Sequence, residues 1–397
     1  MTGYVSAVPA SHSQIRHPNG HVFTDPLGGV PDDVWDRAAG DRFYSSAFWL
    51  RLVALEPGAV SGGVHVDLPG GGSAAVPVAD VEDASELANP HLRWTELLTE
   101  RGLPTPPARG LLVGQRRGYL AHLLATPDAD RAEATSTLLE AVRAVGPSGH
   151  DVARVALYLT TPDVLALRAA GVEAPPVALA ADAWIDIPDG GFDAWLAAGS
   201  KHQRSRVRSE VRKFEAAGYR VEHRTLPDAY AEVGRLSAQT ERRYGIEADP
   251  AAYVEAFRKH AELAGDRAHV LLCSVGDEEP VGSCLYMHEG DTVYIRAVGF
   301  DYDELRDAAE YFNLHCYVPA RLPGVRRIHC GIGTADGKAF RGAELSPLWL
   351  LDLTEGSPLI GRDDDVLAHN RAMRAALAAK SPVVERAMPA AEWDLFC

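Results

Sequence analysis

Lysine is scarce in this chain. Only five occur in 397 residues (Lys201, Lys213, Lys259, Lys338 and Lys380), so arginine carries nearly all the other positive charge. Cysteine is as rare, and Cys273, Cys284, Cys316, Cys330 and Cys397 form no CxxC pair. An odd count without paired spacing argues against a disulfide framework and for reduced thiols in a cytoplasmic protein. No apolar run is long enough to span a bilayer, and the N-terminus lacks the apolar stretch of a signal peptide, so no membrane insertion is expected. Short repeats and low-complexity tracts are also missing. So is net positive charge: the formal value is −16. That excludes nucleic-acid binding over the whole surface, leaves room only for a local basic patch, and gives no reason to expect DNA as a partner.

What is present is apolar content, at 46% of residues, enough for two cores of ordinary size. Heavy use of Ala, Arg, Gly and Asp is the codon bias expected of a high-GC bacterial genome. The pattern divides into a flexible segment over 1–30, an α/β domain over 31–187, a second over 188–355, and a helical tail over 356–397. In the segment, Pro18-Asn19-Gly20 separates His17 from His21 and prevents a helix that would pair them on a metal. In the first domain, helices are expected at 31–57, 91–102, 128–145 and 162–170. Strands are expected at 64–68, 73–81, 111–113, 119–124, 152–159 and 179–187, with a hairpin turn at Pro69-Gly70-Gly71-Gly72.

The second domain is clearer. A helix over 201–217 stops at Gly218, a strand follows at 219–223, and helices span 226–243 and 250–264. Asp249-Pro250 supplies an N-cap and a first-turn proline for the last of these. Three strands come next, at 269–275, 281–288 and 292–298, separated by tight polar turns. A helix at about 303–320 leads to a strand at 325–330, a glycine-rich turn (Gly331, Gly333, Gly337) and a strand at 347–353. Lys338 and Arg341 lie in that turn. A lysine kept there, in a chain with so few, is a candidate to set a compact cation against developing negative charge. A solvated loop lysine is the competing reading.

The helix from Lys201 holds Lys201, Arg204, Arg206, Arg208, Arg212 and Lys213 against Glu210. Lys201, Arg204, Arg208 and Arg212 share one face, and Val207, Val211 and Phe214 form the opposite, core-facing stripe. On an acidic protein this face suits phosphate groups, although a solvated helix between domains would look similar. Arg296 interrupts the apolar strand VYIRAV and shares a face with Tyr294, so it is either a cleft residue or half of a buried pair. Tyr311 and His315 share a helical face near Asn313. His315 is placed to take a proton from an amine, but Phe312, Leu314 and Cys316 around it also fit a core histidine. The dipeptides His315-Cys316 and His329-Cys330 invite a metal reading. Neighbours on a strand face opposite ways and no carboxylate is spaced to help, so no metal is expected.

The element order from Tyr219 to Leu353 resembles the GNAT acyltransferase fold. The stretch from Phe48 to Leu353 resembles the FemABX-like branch, on the helix KHQRSRVRSEVRKFEAAG, the three-strand meander, the helix AEYFNLHCY and the turn GIGTADGKAFRGAELSPLW. The resemblance implies two tandem GNAT-like domains, each a mixed, mostly antiparallel sheet flanked by helices. It implies transfer of an acyl or aminoacyl group to an amine, in natural-product tailoring or on a peptidoglycan-like precursor. The donor would be aminoacyl-tRNA, its acceptor arm on Lys201, Arg204, Arg208 and Arg212, and the acceptor a small-molecule or peptide amine. Lys338, with Arg341 and Tyr311, would be catalytic, Lys338 lying near the acyl ester. Arg296, Tyr294, Asn313 and His315 would bind substrate. No bound cofactor is implied, and acyl-CoA is the alternative donor. Against acyl-CoA, the expected pyrophosphate turn after Val298 reads Gly-Phe-Asp-Tyr-Asp-Glu, whose carboxylates would repel phosphate. Gln115–Leu120 approaches the missing pattern, but Leu120 stands where a small residue is needed.

Overall fold

The computed structural model describes residues 25–55, 59–145, 152–304 and 313–397. Tyr311, the first part of the helix expected at 303–320, and His17 and His21 lie outside the described residues. Twelve strands run in chain order: β1 (Val60–Asp67), β2 (Ser73–Val81), β3 (Gly110–Val113), β4 (Leu124–Ala125), β5 (Ala153–Leu159), β6 (Val177–Asp186), β7 (Tyr219–Thr225), β8 (Ala268–Val275), β9 (Gly282–Glu289), β10 (Thr292–Phe300), β11 (Arg327–Gly331) and β12 (Glu344–Asp352). Among the described residues no helix is long and apolar enough to cross a membrane.

The chain forms two compact units. The N-terminal unit holds the described residues up to 181 together with 346–379 and 389–397. Its strands are ordered β1-β2-β3-β5-β12, antiparallel except for the β3–β5 pair, and β4 adds to β2. The β1–β2 hairpin closes where Gly71 and Gly72 take positive φ, a region open to glycine without strain. Every residue of β2 is buried, which is why it reads as a continuous small-and-apolar run instead of an alternating one. Leu111, Leu138, Trp349 and Leu351, all at most 1% exposed, anchor the core.

Three expectations change here. The strand expected at 347–353 begins earlier, and its length from Ser346 belongs to this unit, where Trp349 and Leu351 pair with β5 and fill the core. The domain boundary near 187 falls at 181/182, and residues 356–379 join the N-terminal unit instead of standing apart as a tail. The strand expected at 119–124 is mostly loop. Tyr44's ring packs so tightly on Gly118 that a Cβ there would stand 2.5 Å from it, and Tyr119 turns to φ 50°.

The central unit, residues 182–345 and 380–388, has the order β11-β10-β9-β8-β7, with Ala183–Asp186 of β6 beside β11. Only β10 and β11 run parallel. Helices Leu226–Arg243 and Pro250–Ala264 start and stop as the sequence reads, the second capped by Asp249 on the N–H groups of Ala251 and Ala252. Helix Gly191–Ala198, with two glycines at its start, gives no clear periodic signal in the sequence.

One buried carboxylate carries a pH prediction. Asp163 is 2% exposed. His122 Nδ1 stands 3.0 Å from it, the Thr160 hydroxyl donates at 2.7 Å, and the Arg131 guanidinium closes the set. Burial alone would raise its carboxyl, but His122, Thr160 and Arg131 outweigh that and hold it below the usual value. Its folded-state pKa is depressed, so its stabilisation is complete above the ordinary aspartate range and fades as pH falls through the folded value. Asp163→Asn should cost roughly 3 kcal/mol at pH 7, with Arg131's half-exposed end reducing the loss. Urea unfolding across acid pH should show the gap between variant and parent closing. A gap that stays constant with pH would contradict this.

Candidate functional site

The basic helix, Lys201–Ala216, forms because Ser200 caps it (its hydroxyl accepts from Gln203 N at 3.2 Å) and because Val207 and Phe214, seven apart, bury one side. Phe214 stacks on Tyr219 at 5.0 Å. The expected ridge of Lys201, Arg204, Arg208 and Arg212 lies along one groove of about 580 Å³, with Arg321 and Phe192 on its other wall. Arg321 lies 4.0 Å over the Phe192 ring. Among the described residues no carboxylate is in the groove's lining, though Asp193 and Glu215 lie near enough to Arg321 to act on its charge, and Lys201 and Arg208 make no ion pair. Arg204 instead donates to the backbone carbonyls of Ala197 and Gly199, and Arg212 Nε to Arg208 O at 3.2 Å. Val211, expected in the core stripe, is only partly buried and faces this groove.

A larger groove, of about 1080 Å³, flanks the same helix and shares Ser205 with the first. Arg206, Lys213 and Arg386 supply its cations, and Arg206 lies 4.4 Å over the Phe340 ring. Its floor is a buried clasp. The Arg341 guanidinium meets both oxygens of Glu210, at 3.2 Å through Nε and more closely through Nη2, and donates to Tyr317 Oη at 3.1 Å and Gly337 O at 2.7 Å. The Tyr317 hydroxyl donates to Glu210 Oε2, and Asn313 to Glu210 O at 3.3 Å. Burial pushes the Tyr317 phenol up, so it stays a donor. Arg341 thus lines a groove, with its charge paired to Glu210. Glu210 and Tyr317 were missed in the sequence. The one signal was an acid, Glu210, set among the arginines of a basic helix.

Lys338 is not in an open turn. Residues Ala335–Ala339 form a short helix entered through Thr334 at φ 51°, and Lys338 is 2% exposed. Its ammonium donates to Cys330 O at 2.5 Å and Gly331 O at 2.9 Å, at the end of β11. The expectation of a cation free to meet an acyl ester is corrected to a buried tie between β11 and this helix, and burial lowers the ammonium's pKa. Beside it, His315, Cys316 and Cys330 converge, all at most 4% exposed. His315 and Cys316 do not face opposite ways as strand neighbours would, because residues Asn313–Tyr317 make a turn of π-helix. His329 goes elsewhere: its Nε2 stands 2.8 Å from Asp182 Oδ1, while Trp184 Nε1 donates to Oδ2 at 2.7 Å.

The remaining residues separate. Tyr294 is buried in a ring cluster with Trp184 and His329, at 6.0 and 5.9 Å. Arg296 is the extra residue of a β-bulge between Ile295 and Ala297, so it no longer keeps the simple alternation with Tyr294. Asn313 and His315 are buried and touch the clasp and the thiols, not an open pocket. Asp301, in the segment expected to repel a pyrophosphate, accepts from Gln239 at 3.2 Å and lies 3.6 Å from Arg235. The Gln115 turn closes on itself, the Gln115 amide donating to Leu120 O at 2.7 Å, and Arg116 is buried against Val53 O.

Lys338→Ala should therefore weaken the fold, by about 2–4 kcal/mol, since the buried Cys330 carbonyl and the half-buried Gly331 carbonyl lose their donor and a cavity opens. Lys338→Met, which keeps the stem, should cost less. Chemical denaturation of both variants checks this. Unchanged stability in Lys338→Ala would contradict the tie.

Residues 201–339 match the family described as Acetyltransferase (GNAT) domain. No curated protein matches the chain. Among solved structures, FemX superposes with a TM-score of 0.54 at 14% identity, over 83% of this chain and 97% of that one. A conserved protein of unknown function from Bacteroides thetaiotaomicron gives 0.50 at 12% identity, over 84% and 94%. The C-terminal domain of a putative lysylphosphatidylglycerol synthetase from Agrobacterium fabrum gives 0.49 at 13%, over 87% and 96%. At such identities the likeness to FemX is one of fold. Residues 201–339 carry a GNAT domain, the chain shares the fold of FemX in two α/β units, and it is an acyltransferase.

Proposed function

We propose that the protein forms an amide by moving an aminoacyl group from aminoacyl-tRNA to the amine of a small-molecule or peptide acceptor. The observation that carries this reading is the basic groove along Lys201, Arg204, Arg208 and Arg212 on a chain of net charge −16. Such a local field attracts a phosphodiester backbone that the rest of the surface repels. The donor's acceptor arm lies along this ridge, with the Arg321–Phe192 pair offering a planar surface to its last bases. The acceptor takes the larger groove, where Arg206, Lys213 and Arg386 outnumber Glu344 and favour an acidic molecule.

In the transfer the acceptor nitrogen bonds to the ester carbonyl carbon. The bond from that carbon to the ribose oxygen then breaks, and the proton lost by the amine ends on the ribose hydroxyl. Positioning and cationic stabilisation of the tetrahedral oxyanion are the protein's share. Lys338 contributes as a positioning residue, fixing the helix that leads to Arg341. Arg341 contributes by holding Glu210, and so the basic helix, in register. The family's description favours one other donor, acetyl-CoA, whose phosphates would also suit an arginine groove. Against it stand Asp301 and Asp303 after β10.

The test is transfer of label from a pool of charged tRNA, together with small-molecule extract, into an amide product, with and without RNase. Label incorporation abolished by RNase is expected, as is no low-micromolar acetyl-CoA binding by calorimetry. Incorporation that survives RNase, or needs only acetyl-CoA, would sink the proposal.

A further inference from the structure

We propose that His315, Cys316 and Cys330 form a binding site for a thiophilic transition-metal ion, zinc in the first instance. The proposal does not depend on the identity of the acyl donor. One ring nitrogen and two sulfurs, from segments fourteen positions apart, lie within 4.8 Å of one another. Tetrahedral zinc, with bonds of about 2.3 Å to sulfur and 2.0–2.1 Å to nitrogen, needs its ligand atoms roughly 3.5–3.8 Å apart. The cluster therefore closes by at most about 1.0–1.3 Å on metal binding.

The local structure explains the convergence. On a strand, His315 and Cys316 would point apart. On the π-helical turn Asn313–Tyr317 both reach Cys330 on β11. The other histidine of the two dipeptides, His329, is held by Asp182 and is no ligand. The surroundings are dry: Leu314 and Ile328 are fully buried. Soft sulfur and imidazole donors in an apolar shell select zinc or a similar ion over magnesium or calcium. Binding breaks two S–H bonds and releases two protons to solvent, and the two thiolates then balance the charge of a divalent ion. Among the described residues the group has three members, so a water or an added ligand would complete the fourth position. The Lys338 ammonium stands beside the cluster and donates to Cys330 O at 2.5 Å. The ion would fasten the turn carrying Asn313 and Tyr317, which hold Glu210, to the end of β11.

The full chain, purified under reducing conditions from zinc-supplemented cells, should carry close to one zinc per molecule by elemental analysis. Exchange for cobalt(II) should give the near-ultraviolet thiolate-to-cobalt absorption, and chelation should lower Tm. Cys316→Ser should lose the absorption and most of the metal, while Cys397→Ser, remote from the cluster in sequence, should keep both. Should Cys316→Ser fail to fold, cobalt absorption in the parent protein still decides. Metal-free parent protein with all thiols titratable, cobalt absorption retained in a folded Cys316→Ser, or a Cys316–Cys330 disulfide seen as the loss of two hydrogens by mass would each overturn the proposal.

Discussion

Glu210 and Arg341 make the interaction on which the central unit's grooves depend. Two charges are taken from water, the Arg341 side chain to 6% exposure and Glu210 to 17%. Such a pair is tolerable only when its hydrogen bonds are filled, and Tyr317, Asn313 and Gly337 fill them. The bidentate geometry fixes the rotation of the basic helix as well as its distance. With Glu210 pinned, Val207 and Phe214 stay buried and the Lys201, Arg204, Arg208 and Arg212 face is presented as one continuous strip. Lys338 supports the other partner, since the helix it ties to β11 ends two residues before Arg341.

This arrangement separates two uses of positive charge that composition alone merges. Arg341 and Lys338 are buried and committed to structure. Lys201 and Arg208 are exposed, without ion pairs among the described residues, and remain available to a ligand. An arginine groove on an acidic chain should gather phosphates while the rest of the surface repels them, which steers an anionic donor to one place.

Much of the fold was legible because its signals are local. Asp249-Pro250 caps a helix, Gly218 stops another, and the strands of the meander are broken by tight polar turns. The basic ridge was legible for the same reason, as helical spacing puts its four residues on one face. What was not legible depended on distant partners. Nothing near residue 347 says that β12 completes the other unit's sheet; that follows from Trp349 and Leu351 fitting a distant core. Lys338 read as an exposed cation because the carbonyls that bury it belong to a strand eight residues back, reached only after the turn folds into a helix. The His315, Cys316 and Cys330 cluster was hidden by an assumption of regular geometry that a π-helical turn breaks. The bulge at Arg296 hides from alternation patterns in the same way.

The central claim is that the free face of the basic helix holds phosphates. It is tested most directly by the salt dependence of tRNA binding in the parent protein and in the double variant Lys201→Ala with Arg208→Ala. If both residues contact phosphates, the slope of log K against log salt should shallow by about 1.4–1.8, at roughly 0.7–0.9 for each contact. Tm should hardly move, because neither side chain is buried or paired among the described residues. An unchanged slope, with or without a loss of stability, would contradict the account.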